Sequence, residues 1–306
     1  MEIWTVKKIL DWGIGFFKNK DIPQARLSSE LLLAAVLGLT RMELYLNYSR
    51  TLKLQELATY KEHILKMLEF VPVQYILGEA HFRNIRLYVN ENVLIPRPET
   101  ELVVEKAVEA ALGLLNQRAS INILEIGTGS GAIALSLYSE ILNSSPRDIA
   151  RIKITATEIS RKALKVAKKN AENILSGDAG AINMIQCDIL PGDDTDWSSD
   201  NKGKIDMVVS NPPYISESGL NELPREIREY EPKQALVGGE TGLEVYERIL
   251  SKIKDIMRPS SACIIFETDP MVGGKLQDLV KEYLKVKTII LNKDYNQKER
   301  ILVAYI

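Results

Sequence analysis

The residues best suited to chemistry are Asn211, Pro212, Pro213 and Tyr214, which follow directly on segment 206–210 with its apolar centre Met207-Val208-Val209. Proline has a carbonyl group but no N–H, so the two prolines end a β-ladder and leave only hydrogen-bond acceptors on a stiff backbone. The Asn211 side chain adds another carbonyl oxygen, and the Tyr214 ring can stack on a planar group. Asn and Pro are also common turn residues. The pattern nevertheless predicts a site for an –NH2 group conjugated to a carbonyl or a ring.

A nitrogen of this kind is a poor nucleophile because its lone pair is delocalised, and segment 211–214 contains no base to deprotonate it. We expect the segment to act by position: it holds the –NH2 group by its hydrogens, favours a pyramidal nitrogen and directs the lone pair at an electrophilic methyl group. Positioning can supply roughly 7–11 kcal/mol of a reaction barrier. Asn211, Pro212, Pro213 and Tyr214 are therefore predicted to be both substrate-binding and catalytic, and Asn211 is also a candidate cofactor-binding residue.

A glycine-rich turn, LEIGTGSGAIALSL, lies upstream between a strand pattern and a helix pattern. Glycine permits a sharp turn and a close approach to a ligand, and the following helix N-terminus presents free N–H groups. The candidate cofactor-binding residues of this turn are Glu125, Gly127, Thr128, Gly129, Ser130 and Gly131. Taken alone, the turn suits a dinucleotide, S-adenosylmethionine, or a strand-to-helix connection that binds no ligand.

Two later strand ends narrow the choice of cofactor. Glu158 ends the segment TATE, where a carboxylate can accept hydrogen bonds from both ribose hydroxyls of an adenosine. Asp188 can accept from the exocyclic amine of adenine while Ile189 packs against the ring, although an aspartate there can also cap a loop. Because a dinucleotide enzyme has no use for segment 211–214, the combination favours S-adenosylmethionine as cofactor and S-adenosylhomocysteine as product.

Strands that alternate with helices must position these residues. From about residue 99, short apolar segments alternate with amphipathic ones, which predicts a doubly wound α/β domain over residues 99–306 with a parallel sheet covered on both faces. Ligands of such sheets bind at the carboxyl ends of the strands, where the candidate residues fall. The polar segment 191–204 is expected to be a surface loop.

The chain before residue 99 has a different pattern. Residues 1–75 carry apolar side chains at three- and four-residue spacing, which predicts a small helical bundle, and we expect this domain to dock the substrate. Segment 82–95 alternates apolar and polar residues on both sides of Asn90-Glu91-Asn92, which predicts a β-hairpin with its turn at 90–92. Residues 76–98 are therefore expected to be a hairpin connector.

Composition argues against several classes of function. The chain has 306 residues, of which 45% are hydrophobic and 26% charged, and its net charge of −2 argues against nucleic acid as the main partner. No apolar run reaches the roughly 18 residues of a membrane span, and the first residues lack the pattern of a signal peptide, so a cytoplasmic protein is expected. The two cysteines and two histidines lack metal-ligand spacing, and no metal is expected.

Five segments together resemble one enzyme family. PVQYILGEAHF, VLIPRPETE, LEIGTGSGAIALSL, NPPYI and EPKQALVGGETGLEVYERIL are similar to segments of the bacterial release-factor glutamine methyltransferases, the PrmC/HemK family. NPPY alone is shared with adenine-N6 and guanine-N2 nucleic-acid methyltransferases, whereas the two segments before the glycine-rich turn are more specific. The resemblance implies a helical N-terminal domain, a hairpin and a Rossmann-like class I methyltransferase domain.

The resemblance also implies an activity and its partners. In that family, a methyl group passes from S-adenosylmethionine to the side-chain amide nitrogen (N5) of the glutamine in the Gly-Gly-Gln motif of class-1 peptide-chain release factors. It implies that residues 127–131, Glu158 and Asp188 hold the cofactor, and that segment 211–214 holds the glutamine amide. Arg97 and Thr100 either cover the cofactor as a lid or only join domains and cap the next helix. A monomer with no membrane association and no direct nucleic-acid substrate is expected.

The chain departs from the family pattern near its C-terminus. Of the common E-x-G-x-x-Q pattern, Glu267 is present, but Asp269 and Val272 replace the glycine and the glutamine. These changes bear on the geometry of a loop more than on the reaction.

Two alternatives to glutamine methylation remain. An adenine-N6 or guanine-N2 nucleic-acid methyltransferase would need a basic groove or a target-recognition domain. An inactive S-adenosylmethionine-binding partner protein is the other alternative, and the intact segment 211–214 argues against it.

Overall fold

A computed structural model describes residues 3–175, 177–192 and 196–306. The helices are α1 (Val6–Lys18), α2 (Ala25–Leu37), α3 (Arg41–Leu46), α4 (Leu54–Leu68), α5 (Val73–Leu77), α6 (Thr100–Leu115), α7 (Ala132–Ser144), α8 (Pro146–Ile149), α9 (Arg161–Ile174), α10 (Asp196–Asn201), α11 (Arg225–Tyr230), α12 (Lys233–Leu236), α13 (Glu244–Ile253) and α14 (Gly273–Tyr283). The strands are β1 (Glu79–Phe82), β2 (Ile85–Tyr88), β3 (Ile121–Ile126), β4 (Ile152–Glu158), β5 (Ile182–Gln186), β6 (Met207–Ser210), β7 (Ile215–Ser216), β8 (Val237–Gly239), β9 (Cys263–Glu267), β10 (Thr288–Lys293) and β11 (Glu299–Tyr305). Residues 3–79 and 224–230 form one compact unit, and the other described residues form a second.

The first unit is a helical bundle, as the spacing of its apolar residues predicts. Helix α2 ends at Gly38, which adopts the left-handed conformation with φ 64° that favours glycine. The core is formed by buried aromatic and aliphatic side chains, among them Phe17, Leu32 and Tyr60. The short helix α3 was not predicted, because six residues are too few to show a helical period.

Helix α11, far along the chain, completes this first unit. The Tyr230 hydroxyl donates to the backbone carbonyl of Glu69 at 2.7 Å, and the Arg225 guanidinium lies 4.6 Å from the centre of the Phe70 ring. The helical unit is therefore built from two separate stretches of sequence. The pattern of apolar residues within 224–230 did not indicate this.

The second unit contains a seven-stranded sheet in the order β10-β11-β9-β6-β3-β4-β5. The five strands from β9 to β5 are parallel, which confirms the α/β prediction. However, β11 is antiparallel to β9 and β10 is antiparallel to β11, so the expectation of a parallel sheet is wrong at this edge. A tight turn at Asp294, whose carboxylate accepts from the N–H groups of Asn296 and Lys298, joins β10 and β11 without a crossover helix.

Both faces of the sheet are covered around its central strands. Every residue of β6 and of β9 is buried, although successive side chains point to opposite faces. Helix α13 covers one face with Tyr246, Ile249 and Leu250, which belong to one core cluster with Val208 and other strand residues. Because β6 and β9 are buried along their whole length, their backbone can meet solvent or a ligand only at a strand end. In a parallel sheet of this kind, ligands bind at the carboxyl ends of the strands.

The predicted hairpin is present, but its turn lies elsewhere. Strands β1 and β2 pair with each other and turn at Arg83 and Asn84, not at residues 90–92. Arg83 is held at φ 48° because its N–H donates to Glu101 and its guanidinium donates to Glu140. These tertiary contacts decide the turn, and periodicity alone cannot show them. Asn90 instead accepts from the Asn92 N–H in a local Asx-turn.

The polar segment 191–204 is only partly a loop. Residues 193–195 lie outside the described residues, but α10 follows them, and the expectation of a surface loop is wrong there. Trp197 explains the difference, since it packs against the core cluster and anchors the helix. Among the described residues, no helix has the length and apolar character needed to cross a membrane.

Candidate active site

A cavity of about 290 Å³ lies at the carboxyl ends of the parallel strands. Its walls come from the turn after β3, the end of β4, the loop after β5 and the segment after β6, with further residues from 92–100 and 232–249. The predicted site residues that line it are Thr100, Glu125, Gly127, Thr128, Gly129, Ser130, Glu158, Asp188, Ile189, Asn211, Pro212 and Pro213. Gly131, Arg97 and Tyr214 are not among the described residues of its walls.

The glycine-rich turn forms an open cradle. Gly127 and Gly129 have φ values of 74° and 57°, and a Cβ added to either would meet no atom of the described residues within 4 Å. The space above them belongs to the cavity and can accept a ligand. Gly131 serves packing instead, because a Cβ there would lie 2.8 Å from Leu135 Cδ1 at the start of α7.

Glu158 is held rigidly at the end of β4. Its Oε2 accepts from the Gly129 N–H and its Oε1 from the Ser160 N–H, both at 2.9 Å. Burial raises the pKa of this carboxyl, and the backbone N–H groups act in the opposite direction. Both oxygens keep lone pairs beside the cavity, and these can accept the hydrogen bonds that the two hydroxyls of a ribose donate.

Glu125 provides a direct test of whether the cavity fits a cationic ligand. The carboxylate is 2% exposed, and its Oε2 accepts from the Thr128 hydroxyl at 2.6 Å. Its Oε1 has no hydrogen-bond partner among the residues that the structure describes. Burial raises the pKa of Glu125 to about 7. A positively charged amino group in the cavity would satisfy this oxygen and stabilise the charged carboxylate.

Asp188 and Ile189 follow β5 in an unusual backbone conformation. Ile189 has φ 68° and is 6% exposed, and it packs in the core cluster while lining the cavity. Asp188 pairs with Arg248 at 2.6 Å and with Lys252 at 3.8 Å. The Asp188 carboxylate is thus already oriented by cations, and this was not evident from the sequence.

Asn211 is oriented by Thr100, the first residue of α6. The Asn211 Nδ2 donates to Thr100 Oγ1 at 3.1 Å, which leaves Oδ1 as the atom available to the cavity. Tyr214 turns to the interior, where its hydroxyl donates to Glu267 Oε1 at 3.1 Å and its ring packs against the core cluster. Its position therefore supports a role in holding the segment and does not support stacking on a ligand. Arg97 pairs with the buried carboxylate of Glu231.

A second glycine segment backs the site, a role that was not predicted for it from the sequence. Strand β7 pairs with β8, so residues 237–239 run beside the 211–214 segment. A Cβ on Gly238 would lie 3.0 Å from both the Pro213 carbonyl carbon and Tyr214 Cα, and closer still to the Pro213 oxygen. The VGGETG sequence was the available signal, since only glycine permits this approach of two backbones.

Comparison with known proteins identifies the family of the chain. A model of the PrmC N-terminal domain matches residues 8–78, and a methyltransferase domain model matches residues 117–300. The release factor glutamine methyltransferase of Rhodopirellula baltica is 36% identical over 299 residues, which cover 98% of this chain and 95% of the relative. The relative of the same name in Chlorobaculum tepidum is 38% identical over 302 residues, covering 98% and 96%, and that of Bacillus subtilis is 33% identical, covering 99% and 98%.

The chain belongs to the release factor glutamine methyltransferase family. In this chain the departures at Asp269 and Val272 lie in a loop that is held by local hydrogen bonds and by Arg300 of β11. Asp269 accepts from the Met271 N–H at 2.9 Å and pairs with Arg300 at 3.2 Å, and its backbone carbonyl accepts from Val272 N–H. The loop after β9 is thereby closed by Asp269, without the glycine and glutamine that are common in the family.

Proposed function

We propose that the protein transfers a methyl group from S-adenosylmethionine to the side-chain amide nitrogen (N5) of a glutamine, the one in the Gly-Gly-Gln motif of class-1 peptide-chain release factors. The observation that carries the proposal is the orientation of Asn211, whose Oδ1 is left to the cavity next to the open glycine cradle. The names of the relatives support the choice of substrate. We propose that the protein works in the cytoplasm as a monomer.

Several residues of the cavity suit the proposed cofactor. Gly127 and Gly129 leave room for it, and Glu158 has free lone pairs for the ribose hydroxyls. The Glu125 Oε1, which lacks a hydrogen-bond partner among the described residues, suits the amino group. Ile189 offers an apolar surface to the adenine ring, and Asp188 is near it. When bound, S-adenosylmethionine supplies an electrophilic methyl group on a sulfonium.

Asn211 and the prolines act on the substrate amide. The Asn211 Oδ1 and a proline carbonyl oxygen accept the two hydrogens of the glutamine –NH2 group, which fixes the nitrogen and keeps its lone pair directed across the cavity. The Asn211 side chain is uncharged, so it orients the amide and does not deprotonate it. The nitrogen becomes acidic only as its new bond forms, and it then releases a proton to water. The rate enhancement comes from orientation and from stabilisation of developing charge.

The helical unit is the proposed docking site for the release factor. It exposes large apolar side chains that a solvated bundle does not need, with Met42 72%, Leu46 78% and Leu54 75% exposed. Met42 and Leu46 lie one turn apart on α3, and neighbouring exposed apolar side chains mark surfaces that bind other proteins.

Transfer of radiolabelled methyl from S-adenosylmethionine tests the proposal. The substrates are a purified release factor, the same factor with Gln→Ala in its Gly-Gly-Gln motif, and a panel of duplex DNA and RNA. We expect label on the intact factor alone, and we expect Asn211→Ala to abolish transfer while calorimetry still detects cofactor binding. Label on nucleic acid only would replace the proposed substrate, and no label on any of them would refute the proposed activity.

A further inference from the structure

An asparagine lies on the buried face of helix α9, where the helical pattern calls for an apolar side chain. The buried residues of this face include Val166, Ala167 and Ala171, and Asn170 lies among them with 1% of its surface exposed. Moving an amide from water to such a place costs free energy unless new hydrogen bonds replace those to water. The partners of Asn170 therefore indicate its role.

Both polar atoms of the Asn170 side chain bond to the backbone of Tyr88, the last residue of β2. The Asn170 Oδ1 accepts from the Tyr88 N–H at 2.8 Å, and the Asn170 Nδ2 donates to the Tyr88 carbonyl at 2.9 Å. A neighbouring strand would exchange the same pair of hydrogen bonds with this residue. The Lys169 ammonium also lies 3.3 Å from the centre of the Tyr88 ring. Helix α9 thus holds Tyr88 by its backbone and by its ring.

The same amide group also bonds to the glycine-rich turn. Its nitrogen has two hydrogens, and it donates to the Ser130 carbonyl at 2.8 Å as well as to β2. The peptide group between Ser130 and Gly131 is held from its other side too, because the Gly131 N–H donates to the Thr128 carbonyl at 2.8 Å. Helix α9 packs directly against this turn, since a Cβ added to Gly131 would lie 3.6 Å from Ala167 Cα. Asn170 therefore helps to fix the orientation of a peptide group in the turn.

Both segments that Asn170 bonds continue into walls of the cavity. The glycine-rich turn lines the cavity itself. We call residues 92–96 the connector wall; it begins four residues after Tyr88, and all of its residues except Ile95 line the cavity. A local turn joins Tyr88 to this wall, because the Asn90 carbonyl accepts from the Val93 N–H at 3.1 Å. One buried amide thus relates the position of one cavity wall to that of another.

We propose that Asn170 is a positioning residue for the cofactor: its amide joins the connector wall to the glycine-rich turn and so fixes the width of the cavity. This inference rests on the proposed function, since it takes S-adenosylmethionine as the ligand of the cavity. Asn170 is not among the described residues of the cavity walls, so it acts on the ligand through the two backbone segments. The connector wall is anchored separately at its other end, where Glu231 Oε2 accepts from the Ile95 N–H at 3.2 Å.

Asn170→Asp removes the two donated hydrogen bonds with almost no change of volume. The carboxylate can still accept from the Tyr88 N–H, but it repels the carbonyl oxygens of Tyr88 and Ser130. We expect the dissociation constant for S-adenosylmethionine to rise about tenfold, the effect of roughly one hydrogen bond. At saturating cofactor, kcat should stay within about twofold of the wild-type value, because Asn211 and Tyr214 are held by other contacts.

Calorimetry with two further variants separates positioning from folding. Asn170→Ala removes all three hydrogen bonds without adding a charge, and it should weaken cofactor binding by the same order as Asn170→Asp. Asn173→Asp is the matched control, because Asn173 is exposed on the same helix, and its dissociation constant should equal that of the wild type. A variant that only folds poorly binds fewer equivalents of cofactor with an unchanged dissociation constant. A displaced wall gives full stoichiometry with a raised dissociation constant.

Hydrogen exchange without cofactor distinguishes failure of this inference from failure of the proposed function. In ¹⁵N NMR of the full-length protein, the Tyr88 N–H should exchange at least tenfold faster in Asn170→Ala than in the wild type, whereas the Ile95 N–H should keep its rate. Unchanged exchange at Tyr88, or faster exchange with an unchanged dissociation constant, would overturn the role of Asn170. A wild type that does not bind S-adenosylmethionine would refute the proposed function, and the exchange at Tyr88 would still decide whether Asn170 holds the connector wall.

Discussion

Gly238→Ala should disable methyl transfer by displacing the 211–214 segment, although Gly238 itself does not line the cavity. The added Cβ would lie 3.0 Å from Pro213 C and Tyr214 Cα, and closer to the Pro213 oxygen, whereas ordinary contacts begin at 3.4 Å. The clashing atoms are backbone, so the 211–214 segment must move by roughly 1 Å. A displacement of that size can cost about 100-fold in rate. We expect a loss of this order in kcat, with cofactor affinity unchanged because the glycine-rich turn is not involved.

Single-turnover methylation of a release factor, calorimetry with the cofactor and thermal unfolding together test this prediction. Gly113→Ala is the matched control, since Gly113 is an exposed position inside α6 where a Cβ meets no atom of the described residues within 4 Å. It should gain up to about 1 kcal/mol of stability and keep full activity. The close approach of the two backbones would have no catalytic role if Gly238→Ala turned over like the wild type, or if its activity fell only in proportion to the folded fraction.

Three other changes probe the cofactor and the docking surface. Gly129→Val should abolish cofactor binding in calorimetry because the valine side chain would fill the cradle. The control Gly203→Val replaces a glycine with a similar φ of 64° that lies outside the cavity walls, and it should bind the cofactor normally. Equal losses of binding in the two variants would show an effect of backbone strain alone. Burial raises the pKa of Glu125 to about 7, so cofactor affinity should weaken up to about tenfold per pH unit below 7. Glu125→Gln should remove this pH dependence. A wild-type affinity that does not change with pH would contradict the pairing of Glu125 with the amino group of the cofactor. Leu46→Glu should raise KM for a whole release factor at least tenfold and leave KM for a short glutamine peptide unchanged. The control Leu142→Glu also replaces an exposed leucine and should change neither KM value. Parallel shifts of KM for both substrates would count against a docking role of the helical unit.

The parts of the site that the sequence predicts are those carried by local signals. The glycine-rich turn, the carboxylate at the end of β4 and the segment after β6 each follow a strand pattern, and parallel strands bring their carboxyl ends to one edge. The placement of Tyr214 shows the limit of this reasoning. Its side chain suits stacking by type, but a hydrogen bond to a residue 53 positions away turns it inward.

Long-range contacts account for the other surprises. Asn211 is oriented by Thr100, 111 residues away, and the hairpin turn is placed by contacts of Arg83 with Glu101 and Glu140. No periodicity within a short window contains such information, because each partner belongs to a different element. The mixed edge of the sheet was missed for a related reason, since the half-exposed β10 shows only a weak apolar pattern.

The discontinuous helical unit affects how the chain folds during synthesis. Residues 3–79 leave the ribosome first, but α11 joins them only after residue 230 has been made, about 150 residues later. At about 5–20 residues per second, the bundle waits roughly 8–30 seconds for its last helix. During that interval Glu69 and Phe70, which α11 later engages, stay exposed to other chains and to chaperones. A fragment that ends near residue 79 is thus a kinetic intermediate of translation and not a finished domain.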